Sequence, residues 1–247
     1  MLIIKDLKKS FGGFVAVDHV NLQIQQGEIV SIIGTNGAGK TTLVNLISGF
    51  LKPDGGTILF YGNDITYTSP YTRIKEGIGR SFQLIQIFEN ITVLDNVRTA
   101  LFSKYGITQS ALRHANHFGD VTSEAIRILD NFNLLDKKEL VPKGLSEGDL
   151  KVLDVAIAFA LKSNLLLLDE PTSGVATQDK FKVMDSIVFA IRKEGISTLI
   201  IEHDMDIVSG YSDRVIVMHE GKIMAEGKPE EVMENREVKA NLFGILG

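Results

Sequence analysis

Eight consecutive residues, Gly34-Thr35-Asn36-Gly37-Ala38-Gly39-Lys40-Thr41, match the pattern G-x-x-x-x-G-K-[ST] at every fixed position. The flanks match too. Glu28-Ile29-Val30-Ser31-Ile32-Ile33 reads as a short buried strand feeding the loop, and Thr42 to Gly49 places Leu43, Leu46 and Ile47 at helical spacing after it. Glycines let the backbone curl so that successive N–H groups point at phosphate oxygens, and the helix N-terminus adds a fixed partial positive charge. In such a loop Lys40 reaches the β- and γ-phosphates and the Thr41 hydroxyl holds Mg²⁺. A chance glycine-rich turn would not bring strand, loop, Lys-Thr and helix in this order. The stretch implies nucleoside triphosphate binding, with Gly34, Asn36, Gly37, Ala38, Gly39, Lys40, Thr41 and Thr42 as candidate ligands.

The 247 residues suffice for one large domain, or one domain with a subdomain. A formal net charge of −5 argues against a dedicated nucleic-acid binder. No apolar run approaches the roughly 18 residues that span a bilayer, and no signal peptide is visible. The absence of cysteine excludes disulfides and thiolate metal sites and is compatible with a cytoplasmic protein. His114 and His117 lie three apart, which reads as a solvated polar face rather than a metal site.

Leu2 to Ile4 opens as a strand, Phe11-Gly12-Gly13-Phe14 as a turn, and Val20, Leu22 and Ile24 alternate in a second strand. An aromatic ring at that turn could stack on a base, but spacing alone favours both phenylalanines packing into a small β-layer. Lys52 to Gly56 signals a turn and Thr57 to Phe60 a strand; Gly77 to Gln83 reads as another strand. From Thr92 to about Leu161 the pattern becomes helical, over Val93–Leu101, Ser123–Phe132 and a long segment starting near Ser146, with Phe102 to Gly119 as a polar, mobile connection. Leu165 to Leu168 is a continuous apolar run of the kind buried on both faces of a parallel sheet, and it ends in Asp169-Glu170. A helix over Asp179–Lys193, a strand over Ser197–Ile201, a hairpin of Arg214–Met218 with Lys222–Glu226, and a terminal helix complete the chain.

Open α/β sheets bind ligands at the carboxyl ends of their strands, where Asp169 sits. A carboxylate there can hold Mg²⁺, usually through water, and Glu170 is placed to polarise the water that attacks a γ-phosphate. His203 also ends a buried strand and could reach the γ-phosphate or that water.

The order of phosphate loop, Gln83, Leu145-Ser146-Glu147-Gly148-Asp149, Leu165 to Glu170 and His203 resembles an ABC-transporter nucleotide-binding subunit over almost the whole chain. Two stretches, Phe82-Gln83 through Phe88-Glu89-Asn90-Ile91-Thr92-Val93-Leu94-Asp95-Asn96-Val97 and Ile200 to Met205, are most similar to the ATP-binding subunits of branched-chain amino-acid importers. The resemblance implies an α/β fold: a P-loop NTPase (ABC ATPase) core with an N-terminal antiparallel β-layer, built from 1–91 and 163–247, and an inserted helical subdomain over 92–162. It implies ATP and Mg²⁺ as cofactors, with Gln83 linking γ-phosphate and metal to the helical subdomain. Phe11, or less readily Phe14, would stack on adenine, and Ser146 and Gly148 would contact the nucleotide of a second ABC ATPase subunit facing head to tail. Partners would be that subunit, transmembrane permease subunits and a separate solute-binding protein, with the chain at the cytoplasmic face of the cell membrane.

The chain departs from the family where that interface is made. The usual Leu-Ser-Gly-Gly-Gln is here Leu145-Ser146-Glu147-Gly148-Asp149, and Leu150-Lys151 follow where polar and basic residues are usual. Asp149 replaces a neutral donor and acceptor by a carboxylate, and two like charges roughly 5–6 Å apart repel by a few kcal/mol at an effective dielectric of about 20. Ala176 stands where the family has Asp or Asn. Two readings stay open: a weakened site within an asymmetric pair, or a working variant. Other functions weighed are an ABC ATPase of lipid export, a weakly hydrolysing nucleotide-gated regulatory module, and a small-molecule kinase.

Overall fold

The computed structural model describes residues 1–81, 87–106 and 115–243. In chain order its strands are β1 (Leu2–Phe11), β2 (Phe14–Ile24), β3 (Ile29–Ile33), β4 (Gly55–Phe60), β5 (Asn63–Asp64), β6 (Ile78–Arg80), β7 (Leu165–Asp169), β8 (Ser197–Ile201), β9 (Arg214–His219) and β10 (Lys222–Gly227). Its helices are α1 (Lys40–Ser48), α2 (Pro70–Glu76), α3 (Val93–Tyr105), α4 (Ala115–Asn131), α5 (Glu147–Ala160), α6 (Thr177–Glu194), α7 (Met205–Tyr211), α8 (Pro229–Glu234) and α9 (Arg236–Phe243). These fall into two compact units, Met1–Arg73 with Gly195–Gly247, and Ile74–Glu194.

The first unit holds two sheets. An antiparallel layer runs β2-β1-β4-β5, and a second sheet runs β10-β9-β3-β8, with β3 parallel to both β8 and β9. Every residue of β3 and β8 is buried, which is why both read as near-continuous apolar runs rather than alternating ones. Val215 and Val217 of β9 pack with Ile33, Val208, Val232 and Val238, so α7, α8 and α9 cover one face of this sheet. The sequence showed one terminal helix; two form, because Asn235 caps α8 and its side chain also accepts the Glu237 and Val238 N–H groups at the start of α9.

Among the described residues Arg73 is the largest fully buried side chain, and it anchors α1 from behind. Its Nη1 donates to the carbonyls of Leu46 (2.5 Å) and Ile47 (2.7 Å), which lie in the last turn of α1. Its Nη2 donates to Ile65 (2.6 Å) and Thr66 (2.9 Å), and Nε to the Thr68 hydroxyl (3.2 Å). Carbonyls at a helix C-terminus lack intrahelical donors, and one planar guanidinium serves two of them together with a neighbouring loop. Gly49, at φ +82, leaves room for it: a Cβ there would lie 2.9 Å from Arg73 Nε.

The second unit pairs β6 with β7 in parallel and contains α3 to α6. Thr92 caps α3 by accepting the Asp95 N–H, and buried Asn96 bonds both the N–H and the carbonyl of Phe88. The expected irregular connection over 102–119 is shorter than its polarity suggested. α3 continues to Tyr105, where Gly106 ends it at φ +62, and α4 already begins at Ala115. His114 lies outside the described residues.

Candidate functional site

The phosphate loop leaves β3 through Gly34 and enters α1 at Lys40. Two of its glycines are forced by crowding as well as by backbone angle. At Gly34 (φ +153) a Cβ would overlap the Met218 carbonyl, and at Gly39 (φ +102) it would overlap that of Ala16. Gly37 (φ +83) has open space around it. The Lys40 side chain is buried and folds back over the loop, its Nζ donating to the carbonyls of Gly34 (2.7 Å) and Thr35 (3.0 Å). Ala38 N–H closes the turn on the Thr35 carbonyl (3.1 Å), and Gly221 N–H holds the Ala38 carbonyl (3.0 Å). Gly39 is the N-cap of α1; no side chain caps this end and its first turn carries no acid. The helix dipole therefore favours an anion at this end. Asn36 and Thr41 are exposed and Thr42 half-buried, so their polar atoms are accessible.

In the same unit Ile32 lies opposite Ile201 in the parallel pairing, which brings the end of β8 beside the start of the loop. His203 follows there, exposed, with its N–H donating to the buried Glu202 carboxylate (3.1 Å), while Asp204 caps α7. At the tip of the β1–β2 hairpin, Phe11 and Phe14 face each other across the turn and are 47% and 58% exposed. They do not pack into the β-layer as spacing alone suggested: Leu7, Val17 and Val20 fill that layer, and the tip extends beyond it. Lys9, fixed by Asp54 at 2.8 Å, places its ammonium 5.5 Å from the Phe11 ring centre.

In the second unit Asp169 ends β7 and is buried. Its Oδ2 lies 3.3 Å from Nη2 of Arg80, at the end of β6. Burial pushes the Arg80 guanidinium down from its ordinary value, and the Asp169 charge opposes that shift. Sequence reasoning missed Arg80; its only signal was a basic residue at the end of a short strand. Glu170 is half-buried and takes φ +51, a left-handed angle that costs an L-residue about 1–2 kcal/mol, and its carbonyl accepts the Ser173 N–H. Gln83 lies outside the described residues.

Ser146 is the N-cap of α5 and forms a reciprocal capping box with Asp149. Ser146 Oγ accepts the Asp149 N–H (3.1 Å), and Asp149 Oδ2 accepts from Ser146 Oγ (2.7 Å) and Ser146 N–H (3.4 Å). The other oxygen, Oδ1, receives Lys137 Nζ at 2.7 Å. Burial works to raise the Asp149 pKa, but the hydrogen bonds from Lys137 and Ser146 outweigh it and hold the carboxyl below its usual range. Asp149 therefore turns back onto its own helix and is ion-paired there. Gly148 is pressed by α6, where Val183 would meet a Cβ at 2.9 Å. A cleft of about 490 Å³ beside this segment is lined by Lys137, Ser146, Asp149, Gly174, Ala176 and Lys182.

Residues 17–173 match the family model for ABC transporters. The chain belongs to the ABC transporter family. This cassette is 38% identical over 237 residues to the probable branched-chain amino acid transport ATP-binding protein LivG of Archaeoglobus fulgidus, covering 95% of this chain and 91% of that protein. It is 35% identical over 247 residues to the high-affinity branched-chain amino acid transport ATP-binding protein LivG of Escherichia coli, covering 96% and 95%. Among solved structures it resembles the ADP conformation of an ATP-binding cassette of an ABC transporter, with TM-score 0.83 at 32% identity over 99% of both chains. It also resembles a dimeric bacterial ABC transporter cassette, with TM-score 0.78 at 26% identity, covering 93% of this chain and 99% of that one. The α/β ABC ATPase fold, the likeness to branched-chain amino-acid transport ATPases and the assignment as an ATPase are borne out. No helix among the described residues is long and apolar enough to cross a membrane. Nor, among them, do three or more His, Asp or Glu side chains cluster as metal ligands.

Proposed function

We propose that the chain is the ATP-hydrolysing subunit that energises a membrane importer of branched-chain amino acids or related amides. The phosphate loop carries the ATP part of this reading: a buried ammonium folded over the loop, glycines at positive φ and a helix N-terminus without a side-chain cap lie together within Gly34 to Lys40. The substrate class is supported by the two LivG relatives, which match nearly the full length.

In this reading Gly34 to Thr42 cradle the triphosphate, Lys40 exchanges its loop carbonyls for β- and γ-phosphate oxygens, and Phe11 stacks on adenine. Thr41, Asp169 and Gln83 would hold Mg²⁺, which would screen the phosphate charge. Glu170 polarises the attacking water and His203 steadies the γ-phosphate. Ser146 and Gly148 complete the nucleotide site of a second ATPase subunit, facing head to tail. The helical block over 92–162 docks on the permease, which holds the chain at the inner face of the membrane, and a separate solute-binding protein delivers the substrate.

The test is uptake of labelled leucine by right-side-out membrane vesicles loaded with ATP and supplied with the solute-binding protein, from cells with and without the chain. Uptake lost with the chain, restored by it and not by the Glu170→Gln variant is the expected result. Unchanged leucine uptake alongside a steady ATPase rate would move the chain to another transported substrate. An ATPase rate untouched by Glu170→Gln would remove the proposed hydrolytic role.

A further inference from the structure

The ladder between β1 and β4 ends where Lys8 lies opposite Gly55, short of the aromatic tip at Phe11. Pairing with β2 is irregular there too, with register shifts on both sides of Lys9. Each shift leaves a residue out of the ladder and bends the strand, so β2 alone does not set the direction of the tip. One residue of the turn before β4, Asp54, takes over from the ladder. Its N–H donates to the Lys8 carbonyl (2.8 Å), its Oδ1 accepts the Lys9 ammonium (2.8 Å), and its Oδ2 accepts the Ser10 N–H (2.7 Å). Three consecutive residues immediately before Phe11 are thus tied to a single aspartate. The Lys9 side chain is largely covered, 16% exposed. Its ammonium lies 5.5 Å from the Phe11 ring centre, within reach of the ring's negative face. Asp54 therefore acts on that ring by two routes, through the backbone at Ser10 and through the cation it holds beside the ring. All of these residues belong to the first unit.

From this geometry we infer that Asp54 is a positioning residue for base recognition, fixing the Phe11 ring where adenine stacks. The inference rests on the reading of Phe11 as the stacking ring. A surface ion pair adds little to stability; what this one supplies is direction. A ring already held in its bound position does not have to be ordered when the nucleotide arrives, and affinity gains by that saved cost. The clamp acts on β1, the arm that carries Phe11, whereas Phe14 stands on the other arm of the hairpin. That asymmetry gives a physical reason for choosing Phe11 over Phe14.

The experiment measures binding of ATP and of inorganic tripolyphosphate to the full chain by titration calorimetry, with Mg²⁺ present. Tripolyphosphate carries the phosphates without a base, so it reads the phosphate loop alone. Asp54→Ala weakens ATP binding about fivefold, as much as loss of the ring itself, and leaves tripolyphosphate binding as in wild type. In a Phe11→Ala background Asp54→Ala has no further effect on ATP, because the two residues act as one unit. A loss of ATP affinity under about threefold for Asp54→Ala overturns the inference. An equal loss for tripolyphosphate overturns it as well, since Asp54 would then support the fold and not the base. Losses that multiply to about 25-fold in the double variant do the same, because independent sites add in free energy. The underlying readings fail visibly and separately. ATP binding untouched by Phe11→Ala removes the stacking role and the inference with it, and wild type that binds neither ligand removes the ATP reading itself.

Discussion

Replacing Arg73 by methionine keeps most of the buried stem and removes every donor. Four backbone carbonyls, those of Leu46, Ile47, Ile65 and Thr66, and the Thr68 hydroxyl then lose their guanidinium partner at once. Leu46 keeps the Gly49 N–H (3.3 Å) and Ile65 keeps the Thr68 N–H (3.1 Å) and hydroxyl (2.9 Å), so the loss falls mainly on Ile47 and Thr66. A hydrogen bond to a charged group contributes about 1.5–3 kcal/mol net, and each buried acceptor left unpaired costs about 1–3 kcal/mol. The contributions are not additive, and the variant is also spared the cost of burying a cation, which is several kcal/mol. The balance is a destabilisation of roughly 3–5 kcal/mol. Urea denaturation followed by circular dichroism measures it as a lower midpoint at unchanged slope. Arg73→Lys should fall between the two, since one ammonium cannot reach two helix carbonyls and two loop carbonyls together. A loss under about 1 kcal/mol for Arg73→Met would show that the guanidinium adds little beyond the donors these carbonyls keep, and the account of α1 anchoring would be wrong.

Gly39→Ala should abolish nucleotide binding while leaving the chain folded, because its Cβ displaces the loop against the Ala16 carbonyl; equilibrium dialysis with labelled ATP reads this directly. Phe11→Ala should weaken ATP affinity by about 1 kcal/mol, roughly fivefold, from lost stacking area, and Phe14→Ala by less; equal effects would refute the choice between them. Lys104 provides a pH test. Burial first, then the nearby Lys162 ammonium, lower its pKa from 10.5 to about 8 despite Glu124. Between those values the unfolded chain binds more protons than the folded one, so stability rises with pH across that window. The raised pKa of Tyr105, hydrogen-bonded to Glu124, turns the trend downward above 10.0. Wild type should therefore gain stability over Lys104→Met between pH 8 and pH 10, and a flat difference would contradict the assignment.

The parts of the fold that the sequence made legible are those whose physics is local. Strand β3, the glycine loop and the apolar face of α1 are contiguous, and β7 and β8 announce themselves as apolar runs because they are fully buried. Arg73 was invisible because its partners are carbonyls, which every residue carries and no letter marks. The Asp149 pairing hid for a related reason. A Ser-x-x-Asp capping box differs from the usual Glu or Gln form, and Lys137 stands 12 positions away, a spacing with no periodic meaning. The position of Phe11 was misjudged because alternation tells which face a side chain takes and not where the sheet ends. α7 went unnoticed since it is only 7 residues long and follows a strand with a single Asp as its start signal.

The left-handed backbone at Glu170 has a consequence for how this protein would respond to selection. An L-residue is strained at φ +51, whereas glycine there would relieve the strain and enlarge the margin of stability. A laboratory population screened only for survival of heat would therefore be drawn toward discarding the carboxylate that we propose activates water. A population screened for turnover would be held to it at the expense of melting temperature. The two lineages would separate first at this position.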